Sequence, residues 1–323
     1  MRAIQVEQTG GPEVLREVEL ADPNPGEGEL LVEVHAAGVN YIDTYQRSGL
    51  YPRQTPFTLG LEGAGTVRAV GAGVSRFDVG DRVAWSDAQG SYAELATVAA
   101  ERAVAVPNGV SYEQAAGALL QGMTAHVLVT STYPVADGEA VLVHAAAGGV
   151  GLLLTQLASA RGARVIATVS TEEKAALARA AGAAEVIRYT EVADLAAEVR
   201  AHTDGQGVAV VYDGVGASTF DASLDSLRRR GMMVLFGASS GPVPPVDPQR
   251  LNSSGSLYLT RPTLFHYVAT REELEYHAGA VLDSVADGTL DIRVGHRYQL
   301  ADARTAHEDL QARRTSGKLV LLP

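Results

Sequence analysis

Six consecutive residues, Ala146-Ala147-Gly148-Gly149-Val150-Gly151, have types and a spacing that point to one chemistry. They fit G-x-G-x-x-G with alanine at the first glycine, the turn that receives the pyrophosphate of a dinucleotide. Gly148 lets the backbone approach the phosphates, because a Cβ there would push them away. Gly151 lets the following helix pack closely on the strand before it. The free N–H groups and positive end of that helix then hold the anion. An ordinary tight turn has the same composition, so the flanking sequence decides. Gly148, Gly149, Val150 and Gly151 are the candidate phosphate contacts.

The flanks are the required ones. Val141-Leu142-Val143 is apolar and β-branched enough for a buried parallel strand, Leu152 to Arg161 reads as a helix, and Arg164–Val169 as a second strand. This is a βαβ unit of roughly 30 residues. Ala140–Ala160 is apolar enough to mimic a membrane span, but three glycines within four residues and the immediate return to β-rich sequence argue for a soluble nucleotide fold. About 20 residues beyond the glycines stands Ser170, where NAD-binding folds carry Asp or Glu. A carboxylate there would bind the ribose hydroxyls and repel a 2′-phosphate. Ser170 does neither, and Lys174 follows within one helical turn, which favours NADPH over NADH. Ser170 with Glu173 also reads as a capping box that leaves Lys174 merely solvated, and Glu172 and Glu173 weaken the positive field.

Composition limits the alternatives. The chain has 323 residues, enough for two cores, and a formal charge of −12 that repels nucleic acid. Cysteine is absent, which excludes disulfides, thiol nucleophiles and cysteine-ligated zinc. The eight histidines include no pair at metal spacing such as H-x₃-H, so no metal is expected. The opening MRAIQVEQTGGPE has no apolar signal core, which makes the cytoplasm the default location. Two lysines stand against two dozen arginines, a bias that reflects genome composition more than function.

The rest of the chain must position these groups. Residues 1–100 read as short strands between Gly/Pro turns: Arg2–Gln5, Glu29–Ala37, Ala64–Val70, Arg82–Trp85 and Ser91–Val98. Tyr41–Arg47 reads as a helical turn, and Ser111 to Thr130 as a helix or helix pair bridging two lobes. After Ser170 the pattern predicts a helix to Ala181, a strand Glu185–Tyr189, a helix Glu191–His202 and a strand Val208–Tyr212. A helix Phe220–Arg230, a strand Met232–Phe236, a stiff four-proline loop from Gly241 to Pro248 and a strand Ser256–Thr260 follow. Arg271–Asp287 and Ala301–Arg314 read as helices and Leu319–Leu322 as a closing strand.

Five segments in this order carry a resemblance: Asn40-Tyr41-Ile42-Asp43-Thr44-Tyr45, Ser48-Gly49-Leu50-Tyr51-Pro52, Gly60-Leu61-Glu62-Gly63-Ala64-Gly65, His144-Ala-Ala-Ala-Gly-Gly-Val-Gly and Phe236-Gly-Ala-Ser-Ser-Gly. Together they resemble the zinc-independent (ζ-crystallin-like) NADPH:quinone oxidoreductases of the medium-chain dehydrogenase/reductase superfamily, along the whole chain. The resemblance implies an α/β protein with a doubly wound Rossmann parallel sheet, 124–262, and a β-rich GroES-like catalytic lobe, 1–123 with 263–323. It implies cofactor contacts from Thr124, Gly214, Val215, Phe236, Gly237 and Ser239, with Tyr189 and Arg313 joining Ser170 and Lys174 around the 2′-phosphate. Zinc members of the superfamily carry a His before the Glu and a Cys near position 40; here Leu61 precedes Glu62 and no cysteine exists.

A conjugated acceptor suits a site without metal. Hydride delivery to a quinone gives a delocalised phenolate, whereas an alkoxide would need a metal or acid. Tyr45 and Tyr51 are candidates to orient the ring, each a flat apolar surface with a hydroxyl, and Asn40 to hydrogen-bond the cofactor or the acceptor oxygen. Both tyrosines also read as packing residues of a loop. Two other functions fit the same residues: an NADPH-dependent enoyl or alkenal reductase, and a crystallin-like protein that holds NADPH without turnover. The apolar edge strand Ser256–Thr260 calls for a cover, either the proline-rich loop or, as the resemblance implies, a twofold partner in a homodimer.

Overall fold

The computed structural model describes the whole chain, residues 1–323. It forms two compact units, Met1–Met123 with Val268–Pro323, and Thr124–Tyr267. The chain opens with β1 (Arg2–Val6), β2 (Leu15–Glu19), β3 (Glu29–Val39), α1 (Tyr41–Ser48), β4 (Phe57–Thr58) and β5 (Glu62–Val70). Then come β6 (Arg82–Trp85), β7 (Leu95–Ala99), β8 (Val104–Ala105), α2 (Tyr112–Val127), β9 (Ala140–Val143), α3 (Gly149–Ala160) and β10 (Arg164–Val169). The next elements are α4 (Glu172–Ala180), β11 (Glu185–Arg188), α5 (Leu195–Ala201), β12 (Val208–Asp213), α6 (Phe220–Asp225) and β13 (Leu227–Leu235). The chain closes with α7 (Pro248–Ser253), β14 (Tyr258–Thr260), α8 (Arg271–Ala286), β15 (Val294–Gln299), α9 (Ala303–Gln311) and β16 (Lys318–Leu322).

The unit Thr124–Tyr267 is the doubly wound part of the α/β fold. Its sheet runs β11-β10-β9-β12-β13-β14 with every pairing parallel. Its central strands are apolar up to their carboxyl ends, as expected of a parallel sheet buried on both faces, and Val141, Leu142, Val143, Val210 and Val211 are fully buried. The strand order reverses between β9 and β12, and ligands of such sheets bind beyond the carboxyl ends of strands at that reversal. The other unit is β-rich. Its larger sheet runs β15-β16-β3-β5-β6-β8, with β7 also paired to β3, and its smaller sheet runs β2-β1-β4. Val6, Leu30, Val32, Val67, Trp85 and Leu321 fill the core of this unit. No helix is long and apolar enough to cross a membrane.

Several boundaries differ from expectation, each for a local reason. The helix expected over Phe220–Arg230 stops at Asp225. The Arg200 guanidinium takes the carbonyls of Asp225 (2.8 Å) and Leu227 (2.7 Å), and Leu227 already pairs with Val208, so Arg228–Arg230 lie on β13. The cap of α4 is Thr171 and not Ser170: its hydroxyl accepts from Lys174 N. Asp194 starts α5 later than Glu191 by capping Ala197 N at 2.9 Å. The early part of Ser91–Val98 makes one isolated bridge, Ala93 to Ala3, with Ile4 N donating to Tyr92 O (2.8 Å) and Glu94 N to Arg2 O (3.0 Å), and the strand proper begins only at Leu95. The proline-rich loop ends in a short helix begun by Asp247 and Pro248. The strands β2, β4, β8 and β15, short or with exposed faces, are additions to the expected set.

Candidate functional site

In the unit Thr124–Tyr267 the chain leaves β9, turns through Ala145 at φ 50° and enters α3 with Gly148 as N-cap. The two key glycines have different reasons. A Cβ on Gly151 would overlap the Ala145 carbonyl oxygen and the Ala146 backbone, so close packing of α3 on the turn requires glycine there. A Cβ on Gly148 would meet nothing nearer than the Ala145 oxygen at 3.2 Å. The backbone would have to give by a few tenths of an ångström at 148, far less than at 151, so packing constrains Gly148 much less than Gly151. The bare backbone and helix N-terminus fit a pyrophosphate.

Beneath the turn lies a buried polar chain. Ser223 Oγ donates to Asp213 Oδ2 (2.8 Å), so it accepts from His144 Nε2–H (3.0 Å). His144 Nδ1 is then the acceptor for Thr168 Oγ1 (2.9 Å). Burial, opposed by Asp213, lowers the His144 pKa and keeps the ring neutral. Asp213 Oδ1 accepts from Val215 N (2.7 Å) and Gly216 N (3.0 Å), which fixes the turn holding Gly214 and Val215. Ser239 N donates to Gly214 O (3.2 Å), and Phe236 N and Gly237 N donate to Asp213 O, so the ends of β12 and β13 are tied together. Thr124 lies half-buried in α2.

Ser170 follows β10, and its carbonyl accepts from Thr190 Oγ1 (3.2 Å). Lys174 is in the first turn of α4, and Tyr189, 39% exposed, follows β11. Glu172 weakens this field less than its charge suggests, because Arg179 (2.7 Å) and Arg188 (3.5 Å) both pair with it. Arg313 lies in the other unit, just after α9, at φ 57°.

In the β-rich unit, Asn40 follows β3 and caps α1, and Asp43 Oδ2 accepts from Asn40 N (2.8 Å). The rings of Tyr45 and Tyr51 lie 5.3 Å apart at 59°, with Tyr41 6.3 Å from Tyr45. Tyr51 N donates to Tyr45 O (3.0 Å), and the Tyr51 side chain is 41% exposed. A tilted aromatic pair with one open face is suited to receiving a flat ligand.

Sequence reasoning missed what surrounds Asn40. Its Nδ2 donates to Glu62 Oε2 (2.8 Å), and its Oδ1 accepts from Lys318 Nζ (2.8 Å) and Gln121 Nε2 (3.0 Å). Lys318 and Glu62 form an ion pair at 2.5 Å with 2% and 0% exposure. A second chain runs from Arg47 Nη1 to His307 Nδ1 (3.1 Å) and from His307 Nε2 to Tyr92 OH (3.2 Å). Tyr92 OH donates on to Asp43 Oδ2 (2.9 Å). Burial raises the Asp43 pKa to about 7, against the hydrogen bonds from Asn40 and Tyr92 and the charge of Lys318. Burial and Arg47 lower that of His307 to about 3. Nowhere do three His, Asp or Glu side chains cluster in a way that could hold a metal ion. These networks join residues up to 278 positions apart, with no local pattern to betray them.

Comparison with known proteins gives the family. Residues 26–108 match the alcohol dehydrogenase GroES-like domain and residues 149–281 the zinc-binding dehydrogenase domain. The quinone oxidoreductase of Pseudomonas aeruginosa is 47% identical over 324 residues, covering 100% of this chain and 99% of that protein. A mycobacterial protein solved in complex with NADPH superposes with a TM-score of 0.98 at 57% identity, covering 100% of both chains. The Escherichia coli quinone oxidoreductase complexed with NADPH superposes equally well, at 45% identity and the same coverage. The chain belongs to the quinone oxidoreductases of the medium-chain dehydrogenase/reductase superfamily.

Proposed function

We propose that this chain reduces quinones with NADPH. The observation that carries the reading is full-length similarity to quinone oxidoreductases, together with a glycine turn in which packing constrains Gly148 far less than Gly151. In this reading Thr124–Tyr267 is the dinucleotide-binding domain and the β-rich unit the catalytic one. Gly148, Gly149, Val150 and Gly151 hold the pyrophosphate. Ser170, Lys174 and Tyr189 border the 2′-phosphate. Thr124, Gly214, Val215, Phe236, Gly237 and Ser239 line the rest of the coenzyme. NADPH supplies the hydride; the protein supplies position. Tyr45 and Tyr51 orient the acceptor ring and Asn40 hydrogen-bonds near the reacting groups. The reduced ring carries its charge as a delocalised phenolate, so water can supply the proton.

The working form in this reading is a cytoplasmic homodimer joined through β14. That strand ends the parallel sheet, and Tyr258 on it is 57% exposed. The test of function is steady-state NADPH oxidation by the purified protein with a naphthoquinone, a 2-alkenal and an enoyl thioester. The quinone should have the highest kcat/KM. A preferred alkenal or thioester would make the chain a double-bond reductase, and oxidation with none of them a binding protein.

A further inference from the structure

Three neighbouring strands of the larger sheet deliver one buried polar cluster. Leu319 of β16 pairs with Val39 of β3, and Gly38 of β3 pairs with Glu62 of β5. Lys318 begins β16, Asn40 follows β3, and Glu62 begins β5, so the register sets Lys318, Asn40 and Glu62 side by side. A Cβ on Gly38 would overlap both Glu62 Oε2 and the Ala116 carbonyl oxygen and come within 2.8 Å of Lys318 Nζ, so glycine at 38 leaves room for the pair and for the backbone of α2. Glu62 is held from its other side by Leu120 N, which donates to Oε1 at 2.7 Å.

The chemistry of the two charged partners decides which way the Asn40 carboxamide faces. Lys318 can only donate, so it requires the oxygen; ionised Glu62 can only accept, so it requires the NH₂. Turning the amide over would set N–H groups against an ammonium and an oxygen against a carboxylate. With Gln121 Nε2 also on Oδ1, both acceptor positions of Asn40 are taken, and one Nδ2–H goes to Glu62. The remaining Nδ2–H has only a long contact, 3.3 Å, to Gly38 O. It is the one weakly held arm of the amide, and it is a donor.

We propose that Lys318 and Glu62 are positioning residues that set the polarity of Asn40, so that it offers an N–H and not a carbonyl oxygen to an acceptor oxygen in the bound complex. The inference rests on the quinone-reductase reading above. Either charged partner alone suffices to orient the amide; with both gone, Oδ1 keeps only Gln121 Nε2, an amide that can turn over together with Asn40 and so does not fix its polarity. A buried ion pair that only braces the fold would behave differently, because removing one partner leaves an unpaired buried charge whereas removing both does not.

The two roles therefore order three variants oppositely. Glu62→Gln and Lys318→Met should each melt well below the parent and lose about threefold in kcat with a naphthoquinone. Glu62→Gln/Lys318→Met should melt above both single variants yet lose tenfold or more in kcat, with the KM for NADPH within about twofold. A second readout is independent of turnover. The sequence has four asparagines, so selective ¹⁵N-asparagine labelling can resolve the Asn40 NH₂ pair. Its protons should exchange slowly with solvent in the parent and in each single variant, and fast in the double variant. A double variant with kcat at or above that of the singles, or with slow Asn40 NH₂ exchange, would overturn the proposal. A parent enzyme inactive with every quinone would instead overturn the functional reading, leaving the exchange experiment to judge the positioning claim.

Discussion

At the residue scale, the two buried titratable groups near α1 oppose each other in a way that can be measured. Asp43 holds its proton up to about 7 in the fold, against an ordinary 3.8. Its contribution therefore favours the folded state at low pH and is lost as pH rises from about 4 to about 7. His307 stays neutral down to about 3, against an ordinary 6.5, so its contribution is lost as pH falls from 6.5 toward 3. Between about pH 4 and 6.5 the two slopes offset. Asp43→Asn keeps acceptors for Asn40 N and Tyr92 but removes one slope. Its stability should fall more steeply on acidification than the parent's, by about 1.4 kcal/mol per pH unit. Denaturant midpoints between pH 4.5 and 6.5 measure this, and parallel curves for parent and variant would contradict it. Lys174 carries a second prediction. A charge-assisted contact to phosphate contributes about 1.5–3 kcal/mol, so Lys174→Ala should raise the KM for NADPH tenfold or more and leave that for NADH nearly unchanged. Equal effects on both coenzymes would remove Lys174 from the 2′-phosphate.

At the element scale, α3 and its turn were legible because every signal is local. An apolar strand, small residues and an apolar helix follow one another within the span Val141–Ala160. The same locality predicts a separation of roles between its glycines. Gly148→Ala adds a Cβ in an allowed backbone conformation with one contact at 3.2 Å, so it should cost about 1 kcal/mol or less but weaken NADPH binding at least tenfold. Gly151→Ala must push α3 off its turn, and overpacking of this kind costs about 1–3 kcal/mol. Thermal melts with and without NADPH separate the two; equal melting losses would show that Gly148 also serves packing. Illegible elements were those set at a distance. Arg228–Arg230 read as a helix end because nothing in their neighbourhood shows that Arg200 takes the carbonyls on either side of Ser226. Lys318 looked incidental as one of two lysines, since its partners Asn40 and Glu62 lie 278 and 256 residues away.

At the scale of the whole molecule, the expected α/β architecture is the one observed. The candidate site was half visible. The nucleotide turn and the tyrosines stand out as candidates from residue type and family likeness. The buried networks that hold them, Thr168–His144–Ser223–Asp213 and Arg47–His307–Tyr92–Asp43, exist only once distant strands are brought together. The dimer proposed through β14 predicts a light-scattering mass near twice 33.8 kDa at micromolar concentration, and a monomeric mass would contradict it. Quinone reduction by NADPH on this chain can be watched in a single turnover. Protein loaded with one equivalent of NADPH is mixed with excess naphthoquinone while absorbance at the reduced-nicotinamide band is followed. The full bound equivalent should be lost, one quinone reduced per NADPH, much faster than in free solution and with little loss when a 2-alkenal replaces the quinone. Bound NADPH that survives the quinone, or that is consumed only by the alkenal, would contradict it.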